Sequence, residues 1–322
     1  MNWNHSLLGL GLLMLPLALC ACRANVVVTA APEAPAWTEA VPVAPSATDA
    51  GVPREGGSQP SVTQSLAKAA ARPEAGPVAD VAAAAYVVMD GDTGALLAQF
   101  NAHERRPPAS LTKIMTALLV LERGKLDDVA TVNEAILSLQ VSTLMGIAPG
   151  EQLTVRNLLY GLMLPSGNDA AITLSQRIAG TEYQFVQMMN RRAGEIGLWN
   201  THFANSHGLD SRFGDHYTSA YDLAVLTQTA MRNPLFRDLV STKYAEFGGA
   251  LNYYSMGNGN DLLWNYPGAD GVKIGYTRGA QQTVVGSAVR DGRRVIAVAL
   301  GSTQRTLDAH RLLNAGFQSL AR

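Results

Sequence analysis

The chain has 322 residues, 47% of them hydrophobic and 16% charged, with a formal net charge of −1. Such a composition can bury a sizeable core, and one domain of about 240 residues lies near the upper range for a single unit. No basic block is present, which argues against a nucleic-acid partner, and the acidic residues do not cluster.

Leu7 to Ala21 form an apolar run too short for a comfortable bilayer span, and residues 1–22 read as a secretory signal, although Met1 to Ser6 carry no Lys or Arg. Leu19-Cys20-Ala21-Cys22 resembles a bacterial lipoprotein processing site with Cys22 as the lipid-bearing residue; the alternative is an ordinary cleaved signal with two incidental cysteines. Both cysteines of the chain lie here, so the mature domain is expected to contain no disulfide. Residues 23–79 are rich in Ala, Pro, Val and Glu without helical or alternating periodicity, and are expected to form a tether reaching roughly 40–50 Å. The tether contains a Ser-x-x-Lys string, Ser65 to Lys68, in a context that predicts no fold.

From Asp80 onward the pattern changes. Ala84–Met89 and Ala95–Phe100 flank Asp90-Gly91-Asp92-Thr93-Gly94 and predict a hairpin; a calcium loop is disfavoured because its twelfth position is Asn101 rather than Glu. A second Ser-x-x-Lys follows Pro107-Pro108. Here Ser110 opens a segment with Leu111, Ile114, Met115 and Leu118 at helical spacing, stopping at Gly124. Ser110 and Lys113 then share a helix face, with the nucleophile at the positive helix end.

Helices are also predicted over Val155–Met163 and after Asn168, with Pro165 and Gly167 making Ser166-Gly167-Asn168 a tight loop. His202, His207, Asp210, Asp215 and His216 fall within fifteen residues, but their spacing matches no H-E-x-x-H signature and no metal is expected. Lys273-Ile274-Gly275 follows. Thr283–Val289 and Arg294–Leu300 flank Asp291-Gly292, a hairpin signal, and Thr306–Leu320 predicts a closing helix. Strands at both ends with helices between predict an α+β (α/β) fold with an antiparallel sheet covered by helices.

Together the three strings carry an acyl-transfer chemistry. A serine hydroxyl needs a base near neutral pH, and Lys113 can serve only when neutral, which requires burial and repulsion from a second cation, Lys273. No G-x-S-x-G elbow exists for a Ser-His-Asp hydrolase.

Arg106 to Ala117, Leu164 to Ala171 and Tyr266 to Lys273 resemble, in residues, order and spacing, the serine-type D-alanyl-D-alanine carboxypeptidases and endopeptidases, the low-molecular-mass penicillin-binding proteins. The resemblance covers Val81 to Leu320 and implies a penicillin-binding/β-lactamase-like transpeptidase fold, with chain termini meeting in one sheet. It implies that Ser110 forms an acyl-enzyme, Lys113 takes its proton and Ser166 passes a proton to the departing amine. Asn168 is implied to bond the substrate peptide, Lys273 to hold the terminal carboxylate electrostatically and tune Lys113, and Gly275, Tyr276 and Thr277 to bind substrate, with an oxyanion hole at the Ser110 and Tyr276 N–H groups. The implied substrates are peptidoglycan stem peptides and the implied inhibitors β-lactams, with no cofactor or metal, at the periplasm or cell envelope.

One position departs from the family. Its third string usually has Thr where this chain has Ile274; the lost donor is worth roughly 1.5–3 kcal/mol, or about one to two decades of rate. A weakened enzyme is therefore expected, with a silent wall-binding protein as the alternative of another class. Neither Glu182 nor Glu195 lies in a context resembling the deacylating Glu of class A β-lactamases, so penicillin is expected to inhibit rather than be turned over. Carboxypeptidase action is favoured over endopeptidase action.

Overall fold

A computed structural model describes residues 76–139, 142–211 and 215–322. The signal, the lipidation site and nearly all of the tether lie outside the described residues. Among those described, no helix is long and apolar enough to cross a membrane.

The domain is built on a five-stranded antiparallel sheet in the order β2-β1-β9-β8-β7, comprising β1 (Ala85–Asp90), β2 (Leu96–Phe100), β7 (Ala269–Thr277), β8 (Gln281–Arg290) and β9 (Arg293–Ser302). The first and last strands pair side by side, Ala85 opposite Leu300 and Asp90 opposite Val295. Both expected hairpins form. In the first, the buried Asp90 carboxylate accepts the N–H groups of Asp92 and Thr93 and pairs with Arg293 at 2.9 Å, a turn closed by its own side chain. In the second, Asp291 and Gly292 both have positive φ, as a two-residue hairpin turn matched to strand twist requires.

Alternate residues serve two faces. Val295, Ala297 and Ala299, with Tyr86, Val88, Val284 and Ala288, pack against Ala309, Leu312 and Leu313 of α8 (Arg305–Leu320). The other face receives α5 (Ala220–Ala230). Beyond α5 lies the helical half, where α1 (Lys113–Arg123) is buried from Lys113 to Val120, accompanied by α2 (Val155–Met163), α3 (Asn168–Ala179), α4 (Glu182–Glu195) and α6 (Pro234–Ser241). Side-chain caps set four of these helices: Thr154, Thr181, Ser219 and Asn233 each accept a backbone N–H of the first turn. Short pairs β3 (Val129–Thr131) with β4 (Gln152–Thr154) and β5 (Tyr244–Gly248) with β6 (Tyr253–Gly257), and the short helix α7 (Leu262–Asn265), complete it.

The sheet is closed at its seam by Asp308. This fully buried carboxylate accepts Ala82 N–H at 3.0 Å and the Ser302 hydroxyl at 2.6 Å, tying the segment before β1 and the end of β9 to α8. Val78 donates its N–H to the Tyr86 hydroxyl oxygen at 2.7 Å, so packing reaches two residues upstream of Asp80. Asp308→Ala leaves two donors without acceptors at about 1–3 kcal/mol each, so a loss of about 2–6 kcal/mol is expected in chemical denaturation, with Asp308→Asn losing less.

Candidate active site

Ser110 does not open α1 directly. It sits in a 3-10 turn, Ala109–Thr112, that runs into α1 at Lys113. The tighter winding brings residues three apart almost into eclipse, so Lys113 Nζ lies 3.1 Å from Ser110 Oγ. The turn is held in two ways. Thr112 donates its hydroxyl to Ala109 O at 2.9 Å and meets His216 Nε2 at 2.8 Å. His216 Nδ1 accepts the Ala204 N–H, so its Nε2 carries the proton and donates to Thr112. Burial holds His216 down to about 4, which keeps this tautomer neutral.

Lys113 is fully buried, and its nitrogen has two further neighbours: Asn168 Oδ1 at 2.6 Å and His207 O at 2.7 Å. Burial first and the Lys273 charge second hold this amine well below the usual lysine value, with Asp169 acting in the opposite direction. A neutral amine has two N–H groups and one lone pair. Both neighbouring carbonyl oxygens can only accept, so they take the two N–H groups and leave the lone pair for the Ser110 proton.

Each acceptor is itself fixed. Asn168 begins α3, and the next residue, Asp169, accepts the N–H groups of Met145, Gly146 and Ile147, holding the facing loop. His207 O is placed by a loop in which Thr116 donates to Ser206 O, Glu182 accepts from both Ser206 N–H and hydroxyl, and Asn205 accepts from His207 and Gly208 N–H. Gly208 lies so close to the 3-10 turn that a Cβ there would sit 1.9 Å from Ala109 O, at φ +97°. Glu182 thus has a loop-holding part.

On the other wall, β7 packs against the 3-10 turn. A Cβ on Gly275 would fall 2.9 Å from Ser110 N and 2.6 Å from Thr283 Oγ1, so only glycine lets the strand approach the nucleophile. Lys273 is buried and donates to Ile274 O at 3.1 Å; burial and then Arg305 lower its ammonium to about 7. The Arg305 guanidinium reaches Gly275 O at 3.4 Å from the start of α8. Ile274 packs against the same apolar cluster as its cross-strand partner Val284, on the α8 side of the sheet.

Ser110, Asn168, Gly208, Asp210, Tyr276 and Arg278 border an open cleft of about 690 Å³, to which Thr277 also contributes. The Thr277 hydroxyl donates to Asp210 Oδ1 at 2.6 Å, so it is not free to replace the hydroxyl missing at Ile274. Ser166 occupies the loop between α2 and α3 with φ +68°, and its buried hydroxyl has no partner among the described residues. A non-glycine residue there costs of order 1–3 kcal/mol and persists because the surroundings over-determine it. Sequence reasoning reached Ser110, Lys113, Ser166, Asn168 and Lys273. It named His207, Asp210 and His216 only as a cluster matching no metal signature, without a part at the site, and it missed Arg305 on an element far along the chain; the His207 carbonyl, like any backbone carbonyl, has no sequence signal at all.

The family model for D-alanyl-D-alanine carboxypeptidase matches residues 68–304. The chain belongs to this carboxypeptidase family. The carboxypeptidase DacF of Bacillus subtilis is 36% identical over 241 residues, 72% of this chain and 61% of that one. DacD of Escherichia coli is 39% identical over 255 residues, 74% of this chain and 64% of that one. The chain therefore spans just over three fifths of the length of these carboxypeptidases. A solved DD-transpeptidase of Streptomyces, in mutant form, matches with a TM-score of 0.70 at 36% identity over 74% of this chain and 98% of that one. The expected fold, a penicillin-binding α+β domain, is the one observed.

The two buried lysines can serve an acylation only in opposite protonation states: Lys113 as a base only when neutral, Lys273 as an attractor of an anion only when charged. The free-enzyme kcat/KM for an anionic acyl donor is expected to fall above pH about 7, where Lys273 deprotonates. Removing the Arg305 charge raises the Lys273 pKa, so in Arg305→Gln the alkaline limb moves to higher pH while Arg305→Lys leaves it in place; stopped-flow acylation across pH checks this.

Proposed function

We propose that the protein is a serine D,D-peptidase that cleaves D-alanyl-D-alanine-terminated stem peptides of peptidoglycan through an acyl-enzyme, acting as a carboxypeptidase. The observation that carries the proposal is the Lys113 amine, buried, with both N–H groups spent on Asn168 and His207 and its lone pair left for Ser110. The Ser110 oxygen attacks the carbonyl carbon of the penultimate residue, and its proton passes to Lys113 Nζ. The resulting oxyanion is taken by the N–H groups of Ser110 and Tyr276. The C–N bond then breaks, with Ser166 handing a proton to the departing amine, and water later releases the acyl group. Asn168 still has its amide N–H groups for the substrate backbone. Gly275, Tyr276 and Thr277 present the strand along which the peptide lies, and Lys273, assisted by Arg305, attracts the terminal carboxylate.

No cofactor enters this scheme. The same residues serve an endopeptidase, and the shape of the cleft decides between a free terminus and a cross-link. Residues 80–322 form the catalytic unit. Residues 1–22 export the chain to the envelope and residues 23–79 tether it, with Cys22 as the lipid anchor that keeps the domain within reach of the wall. β-Lactams acylate Ser110 and are released slowly.

Ile274 supports a second reading, a feeble enzyme that chiefly binds wall peptides, since an isoleucine offers a carboxylate no donor.

Intact mass after exposure to penicillin tests the first reading: one drug adduct on the native chain and none on Ser110→Ala, with release of D-alanine from a pentapeptide lost in the same variant. An unmodified native chain overturns it. Ile274→Thr separates the readings. A restored donor is expected to raise acylation by about one to two decades while lowering stability, because threonine gives up part of the Ile274 apolar contact. Unchanged acylation shows that Ile274 is no handicap.

A further inference from the structure

The β5–β6 hairpin has two unlike faces. Its inner side chains, Phe247 and Tyr254, pack on each other and on Tyr160 of α2, as a half-buried ribbon should. The outer face would ordinarily carry polar or charged residues. Here its two ends carry Tyr244 and Tyr253, 68% and 67% exposed, on opposite strands and each directly across from a glycine, Gly257 and Gly248. Four residues of strand separate the two positions, about 13 Å at ~3.3 Å per residue.

The Tyr244 ring lies over its cross-strand glycine and beside a third aromatic. A Cβ on Gly257 would be 3.3 Å from the Tyr244 ring, so that ring covers the glycine and turns its other face outward. Trp264, 46% exposed, meets Tyr244 edge-on at 5.0 Å, and Lys243 Nζ stands 5.0 Å from the Trp264 centroid. Between the tyrosines, the exposed Glu246 carboxylate accepts the Tyr253 hydroxyl at 3.2 Å and the Ser255 hydroxyl at 2.7 Å. No described residue covers this arrangement.

The face adjoins the loop that carries Ser166. A groove of about 470 Å³ runs between the outer edge of β6 and Pro165, the neighbour of Ser166, with Met145 and Gly146 on its far side. Gly259, two residues beyond β6, donates to Leu164 O, so hairpin and catalytic loop are tied.

We propose that this face binds the glycan strand of peptidoglycan, steering the attached stem peptide along the groove to Ser110. The outward-turned Tyr244 face and the exposed Tyr253 ring suit the C–H face of a sugar ring, whose hydrogens carry the positive edge a π-face attracts. The Glu246, Ser255 and Tyr253 oxygens supply acceptors and donors for hydroxyl and N-acetyl groups. One exposed carboxylate and one exposed amine leave the face close to neutral, which fits a neutral sugar backbone better than an anionic lipid surface. The inference rests on the peptidoglycan reading above, and it names the part of the polymer that the cleft does not hold.

The test uses the full chain and immobilised glycan strands freed of their peptides, so no cleavage enters the readout. Native chain is expected to bind, and Tyr244→Ala and Tyr253→Ala to weaken binding at least fivefold. Trp199→Ala, equally exposed but on another part of the surface, is expected to stay within twofold. Tyr253→Phe, which keeps the ring, guards against a Tyr253→Ala hairpin that fails to form and is expected to retain most of the binding. No binding by the native chain, or equal loss in Trp199→Ala, overturns the proposal. So does binding to vesicles of phosphatidylglycerol that the tyrosine variants lose while glycan binding is absent. A chain that binds glycan but takes no penicillin leaves this face standing and removes the peptidase reading.

Discussion

Lys113 has no exposed surface, and its nitrogen is fixed between Asn168 Oδ1, His207 O and Ser110 Oγ. An ammonium in that place pays the full cost of desolvation beside a second buried lysine, so the neutral amine is favoured and the serine acquires a base. Everything around it keeps those distances. α1 is buried from Lys113 to Val120, and the loop at His207 is bonded to Thr116, Glu182 and Asn205 before its carbonyl reaches the amine. Burying two lysines costs the fold stability, the usual exchange at a functional site.

The second constraint is the close approach of three segments at the nucleophile. Gly208 backs onto Ala109 O and Gly275 onto Ser110 N, so the 3-10 turn is gripped between a loop and an edge strand. β7 must be an edge strand for this: β8 satisfies one side of it, and the other side looks into the cleft. The sheet order follows from the pairing of β1 with β9, which lets the helical half leave and re-enter on one face while α8 covers the other. Asp308 holds that seam shut, and Arg305 on the same helix reaches the strand that carries Lys273.

The outer hairpin adds scale. On the peptidase reading proposed above, a substrate peptide hung on a long polymer would make a contact to the polymer itself worthwhile. Such a contact would raise local substrate concentration without touching the chemistry, as linked binding modules do.

Local signals in the sequence were enough for the hairpins at Asp90 and Asp291-Gly292, the helices over Val155–Met163 and after Asn168, and the closing helix, because turn residues and periodicity act between near neighbours. The Ser110–Lys113 pair was legible for the same reason: three residues of helix fix it. The strings also carried the family and with it the fold. The tertiary structure alone decided which atoms surround Lys113. Asn168 lies 55 residues away and His207 94, and the second contributes a carbonyl oxygen that any residue type possesses. The 3-10 turn replaced the expected α-helical start because packing from Gly208, Gly275 and His216 overrides local propensity. It was also packing that set Ile274 against the α8 side of the sheet and gave the Thr277 hydroxyl to Asp210. Sequence spacing specifies contacts along one element; contacts between elements depend on how their buried faces meet, and the catalytic amine is made of those.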